Sequence, residues 1–494
     1  MKKIISGIIN IKDFEVELVP FLEDIFEFPP NITIEKLKQY LSVLKDDLWI
    51  FVEYPYVDKV FRDSYYTYFS TKRREQVRDC VRLSFFERKV SNEHFRDPSL
   101  HKDIQEGFLG FMLIRPTLPY IFGRSLLSPR ALKSKDFSCC LVNTEVLING
   151  RKLSVQAFPY SAQDTETISC AETTIWSIME YFGNKYPEYR PVLPSTIVNA
   201  LSEYSCERQI PSHGLSADEI SYALKRFGFG VRIYAREAHK EDLRRIFHYY
   251  IESGIPFIAA LENAQRGHAV VVIGHENRVT NDIVKILPES LISSSGRQLS
   301  IIDLADLPLK YVVIDDNLPP YRLGDFESPM GYYSDPKLND YKVHSIIVPL
   351  YQKIYLEAFQ ARRLVFAILK NDIMSGDIKG DVVFRLQLTS SRSFKHGIAV
   401  NGSIDRDVRD RILATIMAKF IWVAELSDRI LFPGNKGFGL IILDATEANE
   451  NSFDALIFMA YSNKFITLEK RRPQAEKIQF WEFELYNNNL IGGF

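Results

Sequence analysis

Hydrophobic and polar positions divide this chain into three stretches of unlike periodicity. In the first, to about residue 145, a helical spacing over Ile34 to Leu44 stands among apolar runs at Trp49 to Val52, Val81 to Phe86 and Gly107 to Ile114 that predict strands. The apolar run that starts the sequence breaks within a few residues and is followed by Lys12 and Asp13, so it predicts a strand rather than a leader. In the second stretch, Ser169 and Glu172 form an S-x-x-E capping box, and Ala171, Ile175, Ile178, Met179 and Phe182 trace one apolar stripe. That pattern predicts a helix buried on one side, with Gly183 as its left-handed stop. A second box, Ser216 with Glu219, opens a helix ending at Gly228, and Lys240 to Glu252 continues the helical half. Strands are expected at Val231 to Tyr234, Ile255 to Leu261, His268 to Ile273, Tyr311 to Asp315 and His344 to Leu350.

The third stretch mixes helices (Ile354 to Leu369, Arg406 to Met417) with strands (Val382 to Leu388, Phe420 to Ala424, Leu440 to Leu443, Leu456 to Tyr461). Together these patterns give an α+β chain with a central domain over 146–350 and flanking α+β domains over 1–145 and 351–494. The insertion 281–305 contains the small polar run Ser293 to Arg297, which reads as a mobile loop or lid beside the central domain's cleft.

Composition narrows the classes without choosing among enzymes. A chain of 494 residues with 46% hydrophobic residues has area for several cores and excludes a disordered polymer. A net charge of −2 gives no electrostatic case for nucleic acid or an anionic membrane. The aromatics Tyr54, Tyr56, Tyr65, Tyr66, Tyr68 and Phe69 beside Lys72, Arg73 and Arg74 invite a base-stacking reading, but aromatics fill interiors first. No apolar run approaches the roughly 20 residues that span a bilayer. Five cysteines, an odd number with no C-x-x-C pair, suit reduced thiols in the cytoplasm and offer no zinc spacing. His275-Glu276 lacks the second histidine of a metalloprotease helix, and His396 and Asp444 lack partners at ligand spacing, so no metal is expected. Neither a P-loop nor a dinucleotide fingerprint is present, and no cofactor is expected.

The candidate chemistry centres on Cys170. As first residue of its helix, the thiol meets unpaired N–H groups and the positive end of the helix dipole, both of which favour an anionic sulfur. Gln163, a few residues before it, offers an amide that with the Cys170 N–H forms an oxyanion hole worth about 3 kcal/mol per donor. His268 opens a buried strand at an edge, where an imidazole is rigidly held. The later strand Tyr311 to Asp315 ends in two acids, of which Asp315 is the first choice to orient the imidazole and Asp316 the alternative. Cys206 and His213 form a rival pair, but no helix start precedes Cys206.

This order of Gln163, Cys170, His268 and Asp315 resembles the papain-like cysteine peptidases, and most of all the double-glycine peptidases that process bacteriocin leaders. The resemblance covers about residues 150 to 350. It implies Gln163 for the oxyanion hole, Cys170 as nucleophile, His268 as base and then acid, and Asp315 as orienter. This chain has Cys170-Ala171 where those peptidases commonly have Cys-Gly, and its glutamine stands slightly farther from the cysteine. The expected function is therefore an intracellular, bacterial cysteine peptidase acting on a peptide or protein through an acyl-enzyme. Transfer of the acyl group to an amine, as in transglutaminase-like enzymes, and an inactive papain-fold scaffold are the alternatives. The C-terminal Leu490 to Phe494 carries a double glycine and reads as a frayed tail, or as a segment for a neighbouring molecule's cleft.

Overall fold

Three β-sheets correspond to the three stretches, but the chain does not pass between them where the periodicity changes. The computed structural model describes residues 5–73, 76–164, 166–277, 283, 286–371, 380–448, 453–461, 463–469, 472–478 and 482–494. The first sheet orders seven strands as Ile5–Asn10, Trp49–Tyr56, Cys80–Phe86, Phe108–Ile114, Ser125–Leu127, Arg151–Tyr160 and Val142–Ile148. Its central strands are buried on both faces: Val81, Leu83 and Phe85 alternate toward one core and Phe86, Phe108 and Phe111 toward another. The expected border at 145 falls inside the strand Val142–Ile148, which forms a hairpin with Arg151–Tyr160. Asn149 and Gly150 turn that hairpin with φ of 43° and 83°, the left-handed pair that an Asn-Gly dipeptide supplies. The first sheet therefore runs to Tyr160.

The second sheet has the order Arg322–Asp325, Lys310–Ile314, Gly267–Glu276, Phe257–Glu262, Lys342–Tyr351 and Phe229–Ala235, with Phe137–Cys139 pairing beside Gly267–Glu276. All of these pairs are antiparallel. Between the first and second sheets lies the helix Cys170–Lys185, and every residue from Ala171 to Phe182 is buried. The expectation of a one-sided stripe is corrected here, because the helix packs against both sheets and joins them in one core. Gly183 does not stop it: a Cβ there would lie 2.3 Å from Pro191 N, so glycine admits the returning chain. Gly274 likewise lies within its strand, crossed so closely that a Cβ would stand 2.1 Å from Ser138 O.

The third sheet runs Glu289–Ile292, Gln298–Asp303, Asp381–Ser390, Phe420–Ser427, Gly439–Asp444, Leu456–Tyr461, Lys464–Glu469 and Arg472–Lys477. Most of the insertion expected to be a lid belongs to it. Ser293 to Arg297 closes a hairpin, with Ser293 N bonded to Arg297 O at 2.8 Å and Gly296 at φ 83°, and Gln298–Asp303 pairs in parallel with Asp381–Ser390. Leu299, Ile301 and Ile302 are buried by that pairing, which is why the segment is a strand rather than a cover. Residues 281, 282, 284 and 285 of the insertion lie outside the described residues. The helix Leu243–Glu252 packs between the second and third sheets and shares a core with both. The C-terminal tail is anchored rather than frayed: Ile491 exchanges two 2.9 Å backbone bonds with Cys139, and the Phe494 ring packs 5.7 Å from Phe137. No helix among the described residues is long and apolar enough to cross a membrane.

Candidate active site

Capping geometry fixes the start of the Cys170 helix. The Glu172 carboxylate accepts the Ser169 N–H at 3.0 Å and the Ser169 hydroxyl at 2.5 Å, and on its other oxygen the Ser212 hydroxyl at 2.6 Å. Glu172 is buried, so these bonds tie the helix start to the loop before the next capping box. Upstream, Asp164 Oδ1 accepts the N–H groups of Glu166, Thr167 and Ile168 at 2.7–3.0 Å. The backbone from Glu166 to Ile168 is thereby tied to Asp164, while Cys170 itself keeps partial exposure.

Strand register brings the histidine and the acid together. Val271 pairs with Ile314 and Val272 with Val313, so continuing that register sets Asp315 opposite Val270, on the face that His268 shares two residues earlier. His268 Nε2 stands 3.1 Å from Asp315 Oδ1 and 3.8 Å from Asp316 Oδ1, and the imidazole is near enough to Cys170 to feel the thiol. With Nε2 committed to Asp315, Nδ1 is the nitrogen left for the sulfur. The first-choice orienter is therefore the one in contact. Asp315 also accepts the Asn317 N–H at 3.0 Å and the hydroxyls of Tyr332 and Tyr333 at 3.0 and 2.9 Å.

Electrostatics separate the two acids. Burial works to raise Asp315, but the His268 charge and the hydrogen bonds outweigh it and hold Asp315 below the usual carboxylate range. Burial likewise works to lower His268, yet the Asp315 charge, the hydrogen bond to Asp315 and the nearby Cys170 thiol raise it well above an ordinary imidazole. Asp316 is 3% exposed and neither of its oxygens has a hydrogen-bond partner. Burial, reinforced by the Asp315 charge and opposed by that of His268, pushes it up to about 7.

Gln163 lies at this centre with its amide engaged by another: Nε2 donates to Asn317 Oδ1 at 2.6 Å. Asn317 follows directly on the two acids and is the partner that reading the strand end alone misses. Two more residues come from the first sheet's side of the molecule. The buried Arg115 guanidinium donates to the carbonyls of Ala162 at 2.7 Å and Gln163 at 2.5 Å, and its Nε to the Tyr120 carbonyl at 3.4 Å. Tyr120 in turn feels the charges of Asp316, His268, Asp315 and Cys170; burial first, then the two acids, raise its hydroxyl. A buried chain of hydroxyls, Tyr40 to Tyr160 at 2.5 Å and Tyr160 to the Asp316 carbonyl at 3.5 Å, also links the first sheet to the site. No periodicity announces Arg115 or Tyr120. The one signal is a cation placed directly after the fully buried strand Phe108–Ile114, where only carbonyl partners make its burial tolerable.

The remaining candidates lie elsewhere. Cys206 and His213 are both exposed. His275 is buried against Glu252 at 3.2 Å, and Asp444 Oδ1 accepts the N–H and hydroxyl of Thr446 at 2.7 and 2.6 Å. His396 lines a cavity of about 510 Å³ beside the third sheet, and a larger one of about 610 Å³ lies where Tyr186 and Tyr189 meet Tyr351 and Phe420; neither includes Cys170. Of the aromatic run, Tyr54 and Phe69 are buried, and Lys72 is ion-paired with Glu166; Arg74 lies outside the described residues. Comparison with models of known protein families gives no match, and comparison with curated proteins gives none either.

Proposed function

We propose that this chain is a papain-like cysteine peptidase that cleaves a peptide bond through Cys170, His268 and Asp315. The observation that carries the reading is an imidazole 3.1 Å from a buried carboxylate and near enough to the partly exposed thiol at a helix start to feel it. A helix bearing the nucleophile and an antiparallel sheet bearing base and acid support a papain-like arrangement over the second sheet. The thiol proton passes to His268, the sulfur attacks the scissile carbonyl, and the imidazolium donates its proton to the leaving amine. Water, deprotonated by the same nitrogen, then releases the acyl group. The Cys170 N–H, at the first helical position, has no acceptor within the helix and is free to meet the oxyanion. Gln163 is the second donor once its amide turns from Asn317. Asp315 keeps its charge throughout and holds the imidazole through its Nε2 proton. Free thiols at Cys80, Cys139, Cys140, Cys170 and Cys206 accord with a reducing compartment such as the cytoplasm.

Two measurements test this together. Iodoacetamide labelling followed by peptide mapping is expected to modify Cys170 at least tenfold faster than the exposed Cys206, and a peptide library is expected to be cut by the native chain but not by Cys170→Ala. Labelling at Cys206 alone with no cleavage overturns the reading. Product in which an added amine replaces water moves it to acyl transfer.

A further inference from the structure

Asp316 has no role in the proposed reaction, and its state as a buried carboxylate with no hydrogen bond and only a 3.8 Å ion pair to His268 is costly. An ionised carboxylate removed from water without partners costs several kcal/mol, so such a group is neutralised by a proton or by a cation. His268 Nε2 and one oxygen each of Asp315 and Asp316 all lie within 4.8 Å of one another. The nitrogen is 3.1 and 3.8 Å from those two oxygens. Donors around an ion bound at about 2.0–2.2 Å stand about 3.0–3.6 Å apart, so the group closes on an ion with sub-ångström movement. One imidazole and two carboxylates suit a zinc-class ion better than calcium, which takes about six to eight oxygens.

We propose that His268, Asp315 and Asp316 form a site for a divalent zinc-class cation, and that the ion switches off the Cys170 centre. The inhibitory half rests on the peptidase reading; the binding half does not. Two carboxylate charges balance the ion, and His268 must release a proton to solvent before it can ligate. With metal on Nε2, the remaining ring proton sits on Nδ1, which then has no lone pair to take the Cys170 proton. Bound metal thus blocks formation of the acyl-enzyme.

The test is calorimetric titration of zinc ion into the full chain carrying Cys170→Ala and Cys206→Ser, after dialysis against chelator. Those two changes remove the partly and fully exposed thiols as competing ligands. One equivalent is expected to bind, with an enthalpy that varies with buffer ionisation because a proton leaves His268. Adding Asp316→Asn is expected to weaken binding at least tenfold, and so is His268→Gln, which serves if the first variant fails to fold. Binding unchanged in a folded Asp316→Asn or His268→Gln chain, or no binding at about 1 mM zinc, a ΔG weaker than about −4 kcal/mol, overturns the site. Iodoacetamide labelling of Cys170 in metal-free native chain reports the peptidase reading separately, so either can fail alone.

Discussion

Two clusters of buried charge sit near opposite ends of the second sheet's strand Gly267–Glu276, and they are built on different rules. At the seam with the third sheet, Arg385 donates to Glu252 at 2.7 Å and to Glu425 at 2.9 Å, His275 meets Glu252 at 3.2 Å, and the Tyr486 N–H reaches Glu425 at 2.6 Å. Each carboxylate there has partners on both oxygens. At the proposed active site, Asp315 is equally well served while its neighbour Asp316 has no hydrogen bond, only the 3.8 Å ion pair to His268. Burial raises both Glu425 and Asp316, opposed by the Arg385 charge at the first and by the His268 charge at the second. A saturated cluster fixes how the sheets dock, whereas an unsaturated one stores a capacity to take up a proton or an ion.

The sharpest break is Asp315→Asn. Its amide presents N–H toward Nε2 or the wrong tautomer to the imidazole, and kcat/KM is expected to fall about 10⁴-fold with the chain still folded. Steady-state cleavage of a library-derived peptide reads this, and a loss under tenfold removes Asp315 from the mechanism. At the seam the counterpart is Arg385→Ala, which leaves two buried carboxylates facing each other and is expected to lower the unfolding free energy by about 3–5 kcal/mol. Urea denaturation measures it, and activity per folded molecule should not change. If both substitutions act on stability alone, the distinction between the clusters collapses.

How far the sequence announced this difference depends on the range of the contacts. The Cys170 helix start was legible because the capping box is local, and His268 and Asp315 because each ends an apolar run. The seam was not: Arg385 pairs with Glu252, 133 positions away, and no periodicity links them. Glycines misled where they mark crossings rather than ends, as at Gly183 beside Pro191. The hairpin at Asn149-Gly150 carried a readable turn signal, and overlooking it put the first border inside a strand. Small polar residues at Ser293 to Arg297 suggested a lid because the apolar run after them pairs with a strand some 80 residues later, Asp381–Ser390.

Asp316 also sets a pH dependence. Its folded-state value of about 7 lies above the ordinary 3.8, so its contribution to stability is fully present below 3.8 and is lost as pH rises through about 7. In chelator-treated buffer, Asp316→Asn is expected to match the native chain near pH 4 and to exceed it by on the order of 2 kcal/mol at pH 8. Denaturant melts across that interval check the sign. A variant less stable than native at pH 8 means that Asp316 is partnered in solution.

The finest comparison removes one donor of several from each cluster. Tyr333→Phe leaves Asp315 with His268, Asn317 and Tyr332, and Gln387→Leu leaves Glu425 with Arg385 and the Tyr486 N–H. Each change deletes one hydrogen bond to a buried carboxylate that keeps others, so each is expected to cost about 1 kcal/mol of stability. The two must differ in activity. Tyr333 helps to hold the carboxylate that orients His268, so its loss is expected to lower kcat/KM by up to about tenfold, whereas Gln387→Leu leaves it unchanged. Equal stability losses with activity lost only at Tyr333 would locate function in one saturated carboxylate and architecture in the other; activity lost from both would mean that the seam transmits strain to the site through the strand they share.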